Sequence, residues 1–300
     1  LKIAQRDHPH VPVVIISGHG NIEIAVAAIK QGAYDFIEKP FNIDQLLVVV
    51  KRAMETAKLR RENLSLKQRD MCSAEIIGET AAVRALVSQL DKVAKSNSRV
   101  LLTGPSGAGK QVAARYLHKT SNRSGAAFVT VSCATIEPEV MEPMLFGREL
   151  PDGTIQQGLL EQANGGVIFF DEVADLPFAT QSKILKVLVE QKFERVGGTV
   201  RVEVDLRVVA STNLDLEAEI EVGNFRRELF HRLNVVGISV PSLEERREDI
   251  PLLSAHFIEQ YHELQGLELR PLSDEAAGAL QTMVWAGNIR QLKNLIERVL

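Results

Sequence analysis

The chain has 300 residues, a hydrophobic fraction of 45% and a formal net charge of -4 at pH 7, and this length predicts about two globular domains. The charge excludes a general attraction to nucleic acid or to anionic membranes, although it is compatible with a local basic patch. Cys72 and Cys133 lie far apart without metal-site spacing, and no apolar run approaches the roughly 18 residues that span a bilayer, so we expect a cytoplasmic protein without membrane contact.

The first segment predicts half of an α/β domain. Residues Val11–Ile16 form an apolar run before a glycine-containing turn, which is typical of a buried parallel strand. A helical pattern over residues 22–29 ends at Gly32. A second strand, Tyr34–Ile37, follows.

The stretches V-P-V-V-I-I-S-G-H-G and G-A-Y-D-F-I-E-K-P-F resemble the C-terminal half of a flavodoxin-like response-regulator receiver domain, which we assign to residues 1–41. The resemblance implies that Ser17 is the switch hydroxyl and that Lys39 pairs with the phosphoryl group, commonly across a cis peptide bond to Pro40. The acidic pair and the phospho-accepting Asp of that family lie before the first residue here, so we expect no phosphorylation of this stretch. Without the resemblance, Lys39 would be interpreted as a solvated lysine at a strand end.

Helical spacing of apolar residues from Asn42 to Arg69 predicts one long linker helix, which we assign to residues 42–72. Two interpretations stay open, because the heptads are too few to decide. The helix pairs with its twin in a dimer, or it is a solitary amphipathic connector. The basic run near its end predicts a solvated face.

The sequence R-V-L-L-T-G-P-S-G-A-G-K-Q at residues 99–111 predicts a phosphate-binding loop between the strand Val100–Thr103 and a helix. Glycines allow consecutive backbone N–H groups to face an anion, the helix adds its positive end, and Lys110 carries a charge to the β and γ phosphates. Gln111 stands where a Ser or Thr would offer a hydroxyl to magnesium, so the metal needs another protein ligand. The candidate nucleotide-binding residues in this loop are Gly104, Pro105, Ser106, Gly107, Ala108, Gly109, Lys110 and Gln111.

A second apolar strand, G-V-I-F-F-D-E, delivers two acidic residues to its carboxyl end. Ligands of open α/β sheets bind at that edge. We expect Asp171 to hold Mg²⁺, through water if Gln111 offers nothing, and Glu172 to orient or deprotonate the attacking water.

A third strand, Leu206–Ser211, leads to Asn213, which either faces the γ phosphate or caps a strand or helix. Arg226 and Arg232 follow on a helical turn and diverge around it. They are candidates for arginines that reach the nucleotide of a neighbouring subunit, although ordinary surface arginines are the alternative. The segment from Pro241 predicts a small helical subdomain.

Together with V-V-A-S-T-N, F-R-R-E-L-F-H-R-L-N-V and W-A-G-N-I-R-Q-L-K-N, these motifs resemble the AAA+ P-loop NTPase domain of NtrC-type response regulators, which act on sigma-54 RNA polymerase. The resemblance implies an α/β nucleotide-binding subdomain at residues 73–240 and a helical lid at 241–300. It implies ATP and Mg²⁺ as cofactors and a homo-oligomer, from dimer to ring. It makes Asn213 the sensor I residue, Arg226 and Arg232 the trans-acting arginines, and Arg290 the sensor II arginine.

Three departures from that family bear on function. After L-F-G, where members that engage sigma-54 carry G-A-F-T-G-A, this chain reads R-E-L-P-D-G-T-I-Q-Q-G. Ser132 replaces an Asn that commonly holds the catalytic Glu, and Ala286 replaces a Pro of the lid. The pattern is similar to the NtrX-type branch, so we expect regulation of transcription without productive sigma-54 remodelling.

Our main hypothesis from sequence is therefore an ATPase acting at subunit interfaces. The alternative is a scaffold whose assembly is switched by nucleotide without hydrolysis, and a weaker third interpretation is a sigma-54 activator with an unusual loop. We expect a fragment of a longer protein, because the sequence starts without Met and an apolar helical pattern still runs at Leu300. A sensor histidine kinase and DNA would be engaged through parts that the sequence lacks.

Overall fold

The computed structural model describes residues 12–18, 32–44, 46–55, 74–265 and 270–300. It divides into one unit before Ala74 and a second from Ala74 to Leu300. The predicted helix at 22–29 and the linker beyond residue 55 lie outside the described residues.

In the first unit, two parallel strands, β1 (Val14–Ser17) and β2 (Asp35–Glu38), pair with Ser17 opposite Glu38. The strand β1 begins later than predicted, after Pro12, which has no N–H to donate to a ladder. The Lys39 N–H donates to Ser17 O at 2.8 Å, and the Lys39–Pro40 peptide bond is cis, as the receiver resemblance implies. Residues 43–44 and 46–55 are helical.

The second unit is built on a five-stranded parallel sheet with the order β11-β3-β10-β7-β4. Its strands are β3 (Val100–Thr103), β4 (Phe128–Ser132), β7 (Val167–Asp171), β10 (Arg207–Thr212) and β11 (Val236–Ser239). The sequence interpretation did not include β11, which forms one edge. Two antiparallel pairs complete the strands: β5 (Arg148–Glu149) with β6 (Ile155–Gln156), and β8 (Lys192–Glu194) with β9 (Arg201–Glu203).

Helices cover both faces of the sheet, as the alternation of apolar side chains requires. Val167 and Phe169 pack on one side with α1 (Ala81–Ala94) and α2 (Lys110–Lys119), while Ile168 and Phe170 pack on the other. That other side carries α3 (Pro138–Phe146), α4 (Leu159–Gln162), α5 (Phe178–Glu190), α6 (Leu216–Glu221) and α7 (Arg227–Leu233).

A small helical lid follows the sheet. A 3-10 turn at Glu244–Asp249 leads into α8 (Ile250–Gln265), α9 (Asp274–Thr282) and α10 (Asn288–Val299). The last helix begins at Asn288, so Trp285 precedes it; Trp285 is 2% exposed and fills the core of the lid. Across the described ranges, no helix is both long and apolar enough to cross a membrane.

Candidate functional site

The predicted phosphate loop lies between β3 and α2. At two of its glycines there is no space for a side chain. Gly104 has φ +150, and a Cβ atom there would lie 2.5 Å from Val240 O. Gly107 has φ +76, and a Cβ atom there would collide with Gly287 O of the lid. The loop can therefore follow this path only with glycine at both positions.

Lys110 and Glu172 meet at the carboxyl edge of the sheet. The Lys110 ammonium lies 3.0 Å from Glu172 Oε1 and donates to Gly104 O at 2.9 Å and to Pro105 O at 3.3 Å. Glu172 Oε2 accepts the Asn213 N–H at 2.8 Å. Both charged side chains are largely withdrawn from solvent, at 5% and 20% exposure. Lys110 and Glu172, which the sequence predicts to bind phosphate and to activate water, thus form one hydrogen-bonded cluster with the backbone of Asn213.

A serine that the sequence interpretation missed joins the two acidic residues. Ser211 Oγ donates to Asp171 Oδ1 at 2.6 Å and accepts the Glu172 N–H at 3.2 Å. Ser132 lies opposite Asp171 in the neighbouring strand, but the hydrogen bonds of the Glu172 carboxylate within the described chain go to Lys110 and Asn213. A polar residue inside the apolar run V-V-A-S-T was the one sequence signal for Ser211.

Asn213 also lines a cleft of about 600 Å³ beside the loop. Gly104 and Pro105 of the phosphate loop line this cleft, and so does Phe230 of α7. The Asn213 side chain is exposed, so it is accessible from the space next to the phosphate loop.

The lid contacts the phosphate loop directly. Arg290 Nη1 donates to Ser106 Oγ at 3.2 Å, and the Arg290 N–H donates to Gly107 O at 3.3 Å. Asn288 Nδ2 donates to Ser106 O at 3.0 Å while its Oδ1 accepts the Leu243 N–H at 2.8 Å. The predicted sensor II arginine therefore hydrogen-bonds to the phosphate loop directly.

A second cluster missed from sequence lies where the chain enters the second unit. Asp249 accepts hydrogen bonds from the Glu79 N–H at 2.7 Å and from Thr80 Oγ1 at 2.7 Å, and pairs with Arg246 Nε at 3.2 Å. Burial would raise the pKa of Asp249, but these hydrogen bonds and the Arg246 charge outweigh it and hold the pKa below its usual value. Asp249 therefore fixes the segment around Gly78 to the start of the lid.

The two predicted trans-acting arginines lie at opposite ends of α7. Arg226 precedes the helix, and its guanidinium stacks 4.0 Å from the centre of the Phe178 ring. The backbone N–H of Arg226 donates to Oε1 of Gln181, which is fully buried. The Nε2 of Gln181 donates in turn to Leu176 O and to Asn224 O, each at 2.9 Å.

Arg232 is exposed in the last turn of α7. The pKa of Arg99 lies below its ordinary value. The main cause is the partial burial of Arg99, and the second cause is the positive charge of Arg232. Within the described chain, the contacts of Arg226 and Arg232 are not with Lys110 or Glu172.

The donor set fits a magnesium ion that is carried by a nucleotide. Asp171 Oδ1 is engaged by Ser211, and Oδ2 makes no hydrogen bond within the described chain. Gln111 is exposed at the start of α2. The described residues contain no group of three or more His, Cys, Asp or Glu side chains that could hold a metal ion alone, so phosphate and water would supply the other ligands.

Three family models match the chain. A sigma-54 interaction domain matches residues 76–239, an AAA+ ATPase lid domain matches 244–300 and a response regulator receiver domain matches 1–51. The nitrogen assimilation regulatory protein NtrX of Azorhizobium caulinodans is 50% identical over 301 residues, which cover 100% of this chain and 66% of that protein. The DNA-binding transcriptional regulator NtrC of Escherichia coli K12 is 39% identical over 298 residues, which cover 98% of this chain and 63% of that protein.

Among solved structures, NtrX from Brucella abortus is 51% identical, with a TM-score of 0.85 over 99% of this chain and 66% of that one. Its complexes with ATP and with ADP give TM-scores of 0.80 and 0.78, at the same identity, over 99% of this chain and 65% and 67% of those chains. The chain thus spans just under two thirds of the curated relatives it matches. It belongs to the NtrC family of response regulators and carries that family's sigma-54 interaction domain.

Proposed function

We propose that this chain binds ATP with Mg²⁺ and hydrolyses it at the interfaces of a homo-oligomer, as part of a transcription regulator of two-component signalling. The observation that carries the proposal is the cluster of Lys110 and Glu172 at the end of the phosphate loop, 3.0 Å apart and largely buried. The ATP and ADP complexes of the 51% identical NtrX support nucleotide binding.

In this cluster, the Lys110 ammonium is bonded to two loop carbonyls and to the carboxylate of Glu172. The β and γ phosphates offer stronger anionic partners, so nucleotide draws Lys110 from Glu172. Glu172 then becomes available to orient the attacking water and accept its proton. Asp171 would hold Mg²⁺, whose role is to neutralise the charge that develops on the phosphates.

Arg226 and Arg232 would complete the site from the neighbouring subunit. Arg226 is held on Phe178 and Gln181, and Arg232 points from the exposed end of α7, so neither is committed to the acidic cluster of its own chain. In systems where such an arginine has been measured, it contributes about 10³- to 10⁵-fold in rate. We therefore expect isolated subunits to be nearly inactive.

The helix at 46–55 supports oligomer formation. Leu47 and Met54 are 59% and 67% exposed, and they lie one heptad apart, as a paired helix requires. The receiver unit and the relatives' names support a sensor histidine kinase as the upstream partner and DNA as the target of the whole protein.

We further propose that the chain does not remodel sigma-54 polymerase. In place of the family's long loop, β5 and β6 form a tight antiparallel pair, closed by hydrogen bonds from the Leu150 N–H to Thr154 O and from the Gly153 N–H to Leu150 O. Such a short turn offers no extended aromatic and threonine tip. Detectable binding to sigma-54 in a transition-state-analogue complex would contradict this part of the proposal and favour an activator with an unusual loop.

A nucleotide-switched scaffold without hydrolysis remains the second candidate, favoured by the contact of Arg290 with Ser106, which links the loop to the lid. Turnover of ATP per subunit, measured against protein concentration, separates the two. A rate that rises with concentration and is lost in Glu172→Gln supports hydrolysis at interfaces. A flat rate that equals the variant's, with nucleotide still bound, supports the scaffold.

A mixing experiment tests Arg232. Arg232→Ala, inactive alone, should regain turnover when mixed with Glu172→Gln, because each subunit type supplies what its neighbour lacks. Arg201→Ala is the matched control, since Arg201 is an exposed arginine at 75% exposure on β9. Turnover by Arg232→Ala alone at the level of Arg201→Ala would exclude Arg232 from the site.

A further inference from the structure

We infer that Ser211 is a positioning residue for the nucleotide reaction, whose hydroxyl sets the orientation of both acidic residues at the end of β7. The inference rests on the proposed function and deepens it. Ser211 lies in β10, the strand next to β7, and its side chain is fully buried at 0% exposure.

The directions of the two hydrogen bonds follow from their chemistry. The Glu172 N–H can only donate, so it occupies a lone pair of Ser211 Oγ at 3.2 Å. The one hydroxyl proton is left for Asp171 Oδ1 at 2.6 Å, a distance typical of a charge-assisted bond between a hydroxyl and a carboxylate. The hydroxyl therefore has a single orientation, in which it serves both residues.

For Asp171, this bond fixes which oxygen meets a metal. With Oδ1 engaged by Ser211, Oδ2 is the oxygen left to face the phosphates and the cation they carry. Hydrogen bonds that orient a metal-binding carboxylate in this way typically change metal affinity or activity by about 10- to 100-fold when removed.

For Glu172, the bond holds an unusual backbone. Its φ of 55° and ψ of 62° lie in the left-handed region, which few residues other than glycine adopt. From this conformation Glu172 reaches Lys110 with Oε1 and the Asn213 N–H with Oε2. Ser132 lies on β4, the strand on the other side of β7, and within the described residues it makes no hydrogen bond to Glu172. The hydroxyl that holds the backbone of Glu172 is therefore that of Ser211.

The test compares Ser211→Ala with Ser211→Thr and with Ser254→Ala. Ser254 is an equally buried serine, at 0% exposure, whose hydroxyl donates only to Ile250 O at 2.8 Å inside α8. Ser211→Ala should lower kcat by about 10- to 100-fold and raise the KM for the Mg²⁺–ATP complex by about as much as the metal affinity falls. Ser211→Thr should recover most of the rate, and Ser254→Ala should keep it. Thermal melts set a temperature at which every variant is folded.

A second measurement does not depend on turnover. Mn²⁺, detected by electron paramagnetic resonance, should bind the ADP complex of Ser211→Ala about 10-fold more weakly than that of Ser254→Ala. Equal kcat and equal Mn²⁺ affinity in these two variants would overturn the inference. If the wild-type protein hydrolyses no ATP at any concentration, hydrolysis fails as the function, and the Mn²⁺ affinities alone decide the role of Ser211.

Discussion

Replacing Glu172 by Gln should tighten nucleotide binding while it abolishes turnover. Lys110 Nζ and Glu172 Oε1 are 3.0 Å apart with side chains 5% and 20% exposed. Two unit charges at that distance attract by about 5.5 kcal/mol at an effective dielectric constant of about 20. Desolvation of both groups offsets most of this attraction, and Gln keeps an acceptor for Lys110, so we take about 1–2 kcal/mol as the net barrier to nucleotide.

That difference corresponds to about 5- to 30-fold tighter binding of ADP by Glu172→Gln. Isothermal titration calorimetry with ADP measures it. Glu203→Gln is the matched control, because it removes the same charge from an exposed pair in which Lys192 and Glu203 are 46% and 75% exposed. If Glu172→Gln bound ADP no more tightly than Glu203→Gln, the ion pair of Lys110 with Glu172 would not compete with phosphate, and the reasoning would be wrong.

Three further changes test the surroundings of the site. Asp249→Asn should make the unfolding free energy fall less steeply as the pH is lowered. The lowered pKa of Asp249 gives stability that is fully present above its ordinary value of 3.8 and is lost as the pH falls through the lower, folded-state pKa. Urea unfolding from about pH 2 to pH 6 measures this, and an equally steep loss in the variant would contradict it. Trp285→Ala should destabilise the lid by about 3–5 kcal/mol, seen as loss of the lid's amide protection in hydrogen exchange with the sheet retained. Gly107→Ala should weaken ADP binding, because its Cβ would collide with Gly287 O, whereas Gly153→Ala, in open space, should not.

The elements that position the site could be predicted because each has a strong local pattern. The strands Val100–Thr103, Val167–Asp171 and Arg207–Thr212 are apolar runs that end in glycine or polar residues, and parallel strands place those ends at one edge. The sequence therefore predicted that Lys110 and Glu172 lie at the same edge of the sheet. Their direct ion pair was not predicted, because the resting position of a long side chain depends on neighbours from several strands.

The sequence interpretation missed contacts between residues that lie far apart in the sequence. The strand Val236–Ser239 forms hydrogen bonds with β3, far away in sequence, although V-V-G-I-S-V alternates as an edge strand can. Asp249 accepts a hydrogen bond from Thr80, although the two residues are 169 positions apart in the sequence. No periodicity in the sequence indicates such a pair. Contacts of this kind follow from the assembled fold and not from any local stretch.

The side-chain amide of Gln181 bears on the order in which the subunits of the proposed ring would hydrolyse ATP. It is bonded at once to Leu176 O, just after the turn that follows Glu172, and to the N–H of Arg226. Within one subunit, the segment that follows Glu172, the proposed water-activating residue, and Arg226, the arginine proposed to act on a neighbour, are therefore bonded to the same side chain. In the ring proposed here, a shift at one occupied site would change the arginine presented to the next, which gives successive subunits a mechanical reason to act in order.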